Sequence, residues 1–235
     1  MKTIVDQTVA KGYGSKIVYA SFNEPDGNWY GGLGSNSTVQ SNFCNDWLTI
    51  YKVIKAEDSN ARIAGSNLAC YSKMMMDTFV KFCMQNNCMP DVITWHDLAD
   101  WQFSAFSDEY NHYRSLEQTY GVTTPREIII NEYAAQSDCS APGKLVKWIG
   151  LFEDYKVSAC LPYWHISNNL DDIAADTNEA NGAWWLYKWY GDMSGESLPV
   201  TQQNTARTAL YGVASLDDNK KVKYCFWWCK WAELN

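Results

Sequence analysis

The chain has no run of basic residues, no long apolar stretch and only 3 histidines, and each shortage removes a class of function. Its formal net charge is -8 over 235 residues. A phosphate-binding surface needs a Lys/Arg footprint, so neither nucleic acid nor an anionic membrane surface is an expected partner. No apolar stretch approaches the roughly 20 residues of a spanning helix. The first residues carry neither the basic nor the apolar region of a signal peptide. Glycine-rich phosphate loops are missing as well. Gly12-Tyr13-Gly14 lacks a third glycine, Gly31-Gly32-Leu33-Gly34 follows no strand–turn–helix pattern, and no G-x-x-x-x-G-K occurs. The 8 cysteines permit disulfides without requiring them. Cys83 and Cys88 can close a local loop, as can Cys225 and Cys229, whereas Cys70 and Cys160 read as buried thiols. Neither close pair has a second pair or a histidine at zinc-like spacing, so no metal and no cofactor is expected.

Aromatic residues, by contrast, are abundant: 12 Trp and 15 Tyr exceed what a core of this size usually takes. Flat rings match the C–H faces of sugars, while an indole N–H or phenol O–H still meets a hydroxyl. A carbohydrate partner is therefore favoured before any motif is considered.

Short apolar runs alternate with segments of helical period. The runs are Lys16–Asn23, Ala61–Leu68, Asp91–His96, Arg126–Asn131 and Ser158–Trp164. Continuous runs of this kind suit strands buried on both faces of a parallel sheet. Between them, Phe43, Trp47, Ile50, Tyr51 and Ile54 mark one helix face, and Leu145, Trp148, Ile149 and Phe152 another. Residues 1–15 read as a preceding helix. Repeated βα units predict either a doubly wound sheet or a (β/α)8 TIM barrel, and the missing phosphate fingerprint favours the barrel. Five of its eight strands are legible. Residues 1–195 are read as this partial barrel and 196–235 as a β extension, in which Thr208–Leu216 and Lys221–Trp228 form a hairpin about Asp217-Asp218-Asn219.

Polar residues follow the apolar runs: Asn23-Glu24-Pro25, Trp95-His96-Asp97, Asn131-Glu132-Tyr133 and Trp164-His165. A carboxylate directly after a buried strand is costly unless it faces a polar cavity. Strand ends of a barrel share one rim, so Glu24 and Glu132 can converge there across a sugar, as glycoside cleavage requires. The competing reading is that each glutamate merely caps the following helix.

Asn-Glu-Pro after one apolar strand, and a second Glu after Ile128-Ile129-Ile130-Asn131, resemble the two catalytic strand ends of the clan A retaining glycoside hydrolases. The legible strands would then be four to eight of the barrel. Trp95-His96-Asp97, Asn131-Glu132-Tyr133-Ala134 and Trp185-Leu186-Tyr187-Lys188-Trp189-Tyr190 most resemble the β-xylosidase/α-L-iduronidase branch, which carries a β-sandwich after the barrel. The resemblance implies Glu24 as acid/base and Glu132 as nucleophile, with Asn23 on the sugar 2-hydroxyl. It further implies His96 near the acid/base, Trp164 as the floor of the reacting subsite, and Trp29, Trp101 and Tyr133 as rim residues. The Trp184–Tyr190 cluster reads as helix packing. Strands one to three have no counterpart before Lys16, which implies that an N-terminal segment or another chain completes the barrel. A secreted, β-xylosidase-like enzyme is expected. An endo-acting cellulase- or mannanase-like glycanase and a non-catalytic carbohydrate-binding fragment are the alternatives.

Overall fold

The structure, a computed structural model, describes residues 1–161, 179–201, 203–205 and 208–230. The chain divides into two compact units, Met1–Glu132 and Tyr133–Asn235.

In the first unit, helix α1 (Lys2–Ala10) precedes an alternation of strands and helices: β1 (Val18–Ala20), α2 (Pro25–Asn28), α3 (Ser37–Glu57), β2 (Arg62–Leu68), α4 (Lys73–Asn86), β3 (Val92–Asp97), α5 (Asp100–Thr119) and β4 (Glu127–Tyr133). Strands β1 and β2 pair in parallel from Val18↔Arg62 to Ala20↔Ala64, and β2 and β3 in parallel from Ala64↔Val92. The expected strands are present in the expected order; β1 is shorter than its apolar run, and β4 extends through Glu132. Both β2 and β3 are buried almost throughout, which explains why their sequences show no polar alternation. Phe43, Trp47 and Ile54 of α3 are buried against this layer, with Ile50 and Tyr51 half-buried at its margin. The side chain of Asn36 caps α3, accepting the backbone N–H groups of Thr38 and Val39 at 3.0 and 3.3 Å.

Trp47 packs closely on Gly65 in this layer. A Cβ at Gly65 would lie 2.6 Å from the Trp47 ring. The indole cannot easily retreat, because its N–H donates to the Cys88 carbonyl at 2.9 Å.

Behind β3 the core contains an acidic pair. Asp97 is fully buried and Glu109 nearly so, and one oxygen of each lacks a partner among the described residues. Burial, and then the charge of Glu109, hold the Asp97 carboxyl well above the usual range. Glu109 is pushed up to about 7, by burial first and Asp108 second, with Lys73 opposing.

The second unit contains α6 (Pro142–Tyr155), β5 (Ser158–Ala159), α7 (Gly182–Gly191), β6 (Glu196–Leu198), β7 (Gln203–Thr205), β8 (Thr208–Leu216) and β9 (Val222–Lys230). Strands β6, β7, β8 and β9 form an antiparallel sheet, with β9 along one edge of β8 and β6 and β7 sharing the other. The predicted hairpin is β8–β9. The Asp217 side chain closes its turn, accepting the N–H groups of Asn219 and Lys221 at 2.9 Å each. Leu145, Trp148, Ile149 and Phe152 are buried, and α6 lies against β8 and β9. Composition therefore changes near residue 195, whereas packing changes at Glu132, because α6 and the antiparallel sheet share one core. Gly195 has φ +89, and a Cβ there would collide with the Leu216 carbonyl, which explains why glycine opens β6.

Cys83 and Cys88 are free and buried, while Cys70 and Cys160 are free and exposed, contrary to their reading as buried thiols. Cys70 emerges just after the apolar part of its run, and Cys160 follows the short exposed strand β5. The side chain of Cys229 lies outside the described residues. No helix among the described residues is long and apolar enough to cross a membrane.

Substituting Gly65→Ala is expected to destabilise the fold by about 1–3 kcal/mol through overpacking against Trp47. A thermal melt at wild-type midpoint would show that the indole moves aside. The raised Glu109 pKa gives a second expectation, since its proton is held by the folded state up to about 7 against an ordinary 4.5. The stability it contributes is complete below the ordinary value and is lost as pH rises through the folded one. Glu109→Gln should therefore raise Tm over wild type more at pH 8 than at pH 5. Equal differences at the two pH values would show that ionisation of Glu109 carries no such cost.

Candidate active site

Glu24 stands where β1 has ended and α2 begins. Its backbone is left-handed at φ 47, a conformation that costs a non-glycine residue about 1–2 kcal/mol. That strain is offset by hydrogen bonds on both sides. The Glu24 N–H donates to the Asn67 carbonyl at 3.0 Å, and its own carbonyl accepts from Gly27 and Asn28 at 3.0 and 2.8 Å. Asp26 secures the same turn, its carboxylate accepting the Ala69 N–H at 2.8 Å. Although Glu24 occupies the N-cap position of α2, its side chain makes no capping bond. It reaches instead to His96, whose Nδ1 lies 3.1 Å from Glu24 Oε1.

His96 belongs to β3 and is fully buried. Its carbonyl accepts from Gln102 Nε2 at 2.9 Å, which ties it to the first turn of α5. The same Nδ1 lies 3.6 Å from Glu132 Oε2 on β4. One ligand atom from each of Glu24, His96 and Glu132 thus falls within 4.8 Å of the other two. The carboxylates are 108 positions apart in sequence and come from different strands, yet a single imidazole faces both. The Glu24 and Glu132 side chains are 25% and 27% exposed, so each is open on one side to solvent or a ligand. Burial pushes the Glu132 carboxyl above its ordinary value; His96 opposes the shift and the charge of Glu24 adds to it.

Asn67, at the end of β2, underlies this group and was not singled out by sequence. It too is left-handed, at φ 60. Its side-chain oxygen accepts from Asn131 Nδ2 at 3.3 Å and from the Thr94 hydroxyl, while its carbonyl holds the Glu24 amide. Asn67 therefore links the ends of β1, β3 and β4. The available signal was a polar residue near the carboxyl end of an apolar run, as with Glu24 and His96 on the neighbouring strands.

The remaining expected residues are distributed unevenly. Asn23 is exposed directly before Glu24, with its carbonyl accepting from Asn28 Nδ2 at 3.3 Å. Trp29 is 59% exposed and meets Phe22 edge-on at 5.3 Å between centroids. Trp101 is 58% exposed on the first turn of α5. Tyr133, expected at the rim, is buried instead. Its ring packs against Trp148 and Phe152, and its hydroxyl bonds the Tyr187 hydroxyl. Residues adjacent on a strand point to opposite faces, so the neighbour of Glu132 is directed into the core. Trp164 lies outside the described residues.

The Glu24–His96–Glu132 group offers three ligand atoms, and a divalent cation is the chemistry to test against it. A ligating histidine normally donates its second ring N–H to an acceptor. His96 Nε2 is buried with no partner among the described residues, so those residues supply no such acceptor and by themselves fit a cation poorly.

No protein-family model matches the chain. Two curated proteins are similar to it across most of its length. It is 37% identical over 227 residues to a 3-O-alpha-D-galactosyl-alpha-L-arabinofuranosidase of Bifidobacterium longum subsp. longum, covering 87% of this chain and 20% of that protein. It is 35% identical over 228 residues to a 3-O-beta-L-arabinopyranosyl-alpha-L-arabinofuranosidase of Bifidobacterium pseudocatenulatum, covering 88% of this chain and 23% of that protein. The chain thus spans about a fifth of the length of these relatives. Among solved structures, N2152 from Neocallimastix frontalis superposes with a TM-score of 0.79 at 29% identity, over 96% of this chain and 56% of that one. A GH39 β-xylosidase from Caulobacter crescentus superposes with a TM-score of 0.63 over 92% of this chain and 53% of that one, and its 13% identity makes it a likeness of fold. The named enzymes that this chain is similar to, by sequence and by fold, are glycoside hydrolases.

Proposed function

We propose that this chain carries the catalytic pair of a retaining glycoside hydrolase acting on arabinofuranosidic linkages, with Glu24 as acid/base and Glu132 as nucleophile. The observation that carries the proposal is the convergence of the two carboxylates on one buried imidazole, with oxygens within 4.8 Å of each other. One oxygen of each carboxyl lying this near the other is compatible with the roughly 5–5.5 Å between carboxyl groups of retaining enzymes, which supports the retaining reading.

In the first step Glu132 attacks the anomeric carbon while Glu24 gives its proton to the departing glycosidic oxygen. A glycosyl ester on Glu132 forms and the C–O bond to the leaving group breaks. In the second step Glu24 takes a proton from water, and the resulting hydroxide displaces Glu132. His96, with its Nδ1 facing both oxygens, holds the two side chains in register as the proton changes place. Asn23, Trp29 and Trp101 are proposed contacts to the sugar, and Trp164 the floor of the reacting subsite. An arabinofuranoside is preferred to a β-xyloside because both curated relatives are named for the former at 37% and 35% identity.

Hydrolysis of aryl α-L-arabinofuranosides and aryl β-D-xylosides compares the two glycones directly, and turnover confined to the xyloside would overturn the preference. Glu24→Gln should lower kcat/KM by about 10²–10⁴-fold on substrates whose leaving group needs protonation. Glu132→Gly should abolish turnover, and azide should restore it with a glycosyl azide as product. Wild-type rates from either variant would end the assignment. Because burial and Glu24 raise Glu132, the acid limb of the wild-type profile should lie above the ordinary carboxylate value and belong to the pair as a unit.

The three-atom cluster supports one rival reading, a metal-assisted hydrolysis. Turnover is expected to survive prolonged treatment with EDTA. Loss of activity that returns on adding a divalent ion would replace the double-displacement reading.

A further inference from the structure

The helix α7 cluster, read from sequence as packing, divides into two faces. Ala183 and Leu186 are buried, whereas Trp185 and Trp189 are 45% and 53% exposed. Opposite them on β9, Tyr224 and Phe226 are 66% and 60% exposed. Isolated exposed aromatics are ordinary, but four lining one groove are not. The groove encloses about 310 Å³.

Its geometry is regular. Trp185 and Trp189 are one helical turn apart on α7 and share a face, with ring centroids 5.8 Å apart and planes inclined by 35°. Tyr224 and Phe226 alternate on β9 and share a face too, at 5.6 Å and 25°. Trp184 meets Trp185 edge-on at 4.8 Å and 85°, fixing the orientation of that indole. Beyond Trp189 and Tyr224 lies an adjoining hollow whose lining includes Asp192, Met193 and Lys223. Lys223 Nζ donates to the Asp192 carbonyl at 2.8 Å, so this lining is ordered as well.

We propose that this groove is a second carbohydrate-binding site, which holds sugar rings of a glycan chain without cleaving them. Paired aromatic faces, one on each wall, suit the apolar C–H faces of sugars, and the neighbouring Asp192 and Lys223 offer polar partners for their hydroxyls. Rigid rings with two side-chain torsions lose little entropy on binding. A second protein surface fits less well, since stable interfaces use roughly 20–30 residues a side and this patch offers four rings. The groove lies entirely within the second unit, and neither Glu24 nor Glu132 belongs to it.

The test is affinity electrophoresis of the full chain through gels containing arabinoxylan or arabinogalactan. Retardation is expected for wild type and, undiminished, for the Glu24→Gln/Glu132→Gln double variant, which separates this site from the catalytic reading. Trp185→Ala/Trp189→Ala and Tyr224→Ala/Phe226→Ala should each weaken retardation by about tenfold, roughly 1.4 kcal/mol. Both should keep the wild-type circular dichroism spectrum and the wild-type rate on small aryl glycosides. No retardation of wild type in either gel, or undiminished retardation of both aromatic variants, would overturn the proposal. So would sedimentation showing a wild-type dimer that these substitutions dissociate, which would make the patch a self-association surface.

Discussion

Two carboxyl groups held close together set the terms for the first unit. If both were ionised, oxygens within 4.8 Å would repel by about 3–4 kcal/mol at an effective dielectric of about 20. Side-chain packing alone would let them swing apart. Three backbone fixtures oppose this. The Glu24 amide is tied to Asn67, the Asp26 carboxylate holds the end of β2, and Gln102 clamps the His96 carbonyl. The fully buried imidazole then lies within reach of both carboxyl groups. Strand register matters for the same reason, because a slip of one residue in β3 would send His96 to the opposite face of the sheet.

Much of this was legible in the sequence, for reasons that can be stated. Apolar runs bounded by polar residues marked β2, β3 and β4 because strands buried on both faces tolerate little else. Glu24 and Glu132 stood out because a carboxylate at such a boundary is expensive without a function. What escaped notice depends on backbone conformation or on side-chain direction. Asn67 acts through its left-handed backbone and a network across three strands, neither of which leaves a local pattern. Tyr133 shares its tripeptide with Glu132, yet the pleat directs it into the core. Trp185 and Trp189 have the same composition as a packed face, yet they stand exposed along a groove shared with β9.

The second unit shows the limit of reading boundaries from composition. Its β extension looked separate because its sequence turns polar and strand-like after residue 195. Yet Trp148 and Phe152 of α6 are buried in the unit that contains β8 and β9, and α6 lies against both strands. A helix of regular βα period therefore contributes its apolar face to an antiparallel sheet. Periodicity identifies such a face but not its partner.

The buried carboxyls have a consequence for the heat of unfolding. Glu109 is pushed up to about 7 and Asp97 is displaced upwards with it, so near neutral pH the folded chain holds proton that the unfolded chain gives up. Folding is thus a proton-uptake reaction, and its reverse delivers acid to whatever buffer surrounds it. A calorimeter would record that transfer as part of the unfolding enthalpy. The measured value would then differ between buffers of small and large ionisation heat at the same pH, although the protein and its midpoint are unchanged.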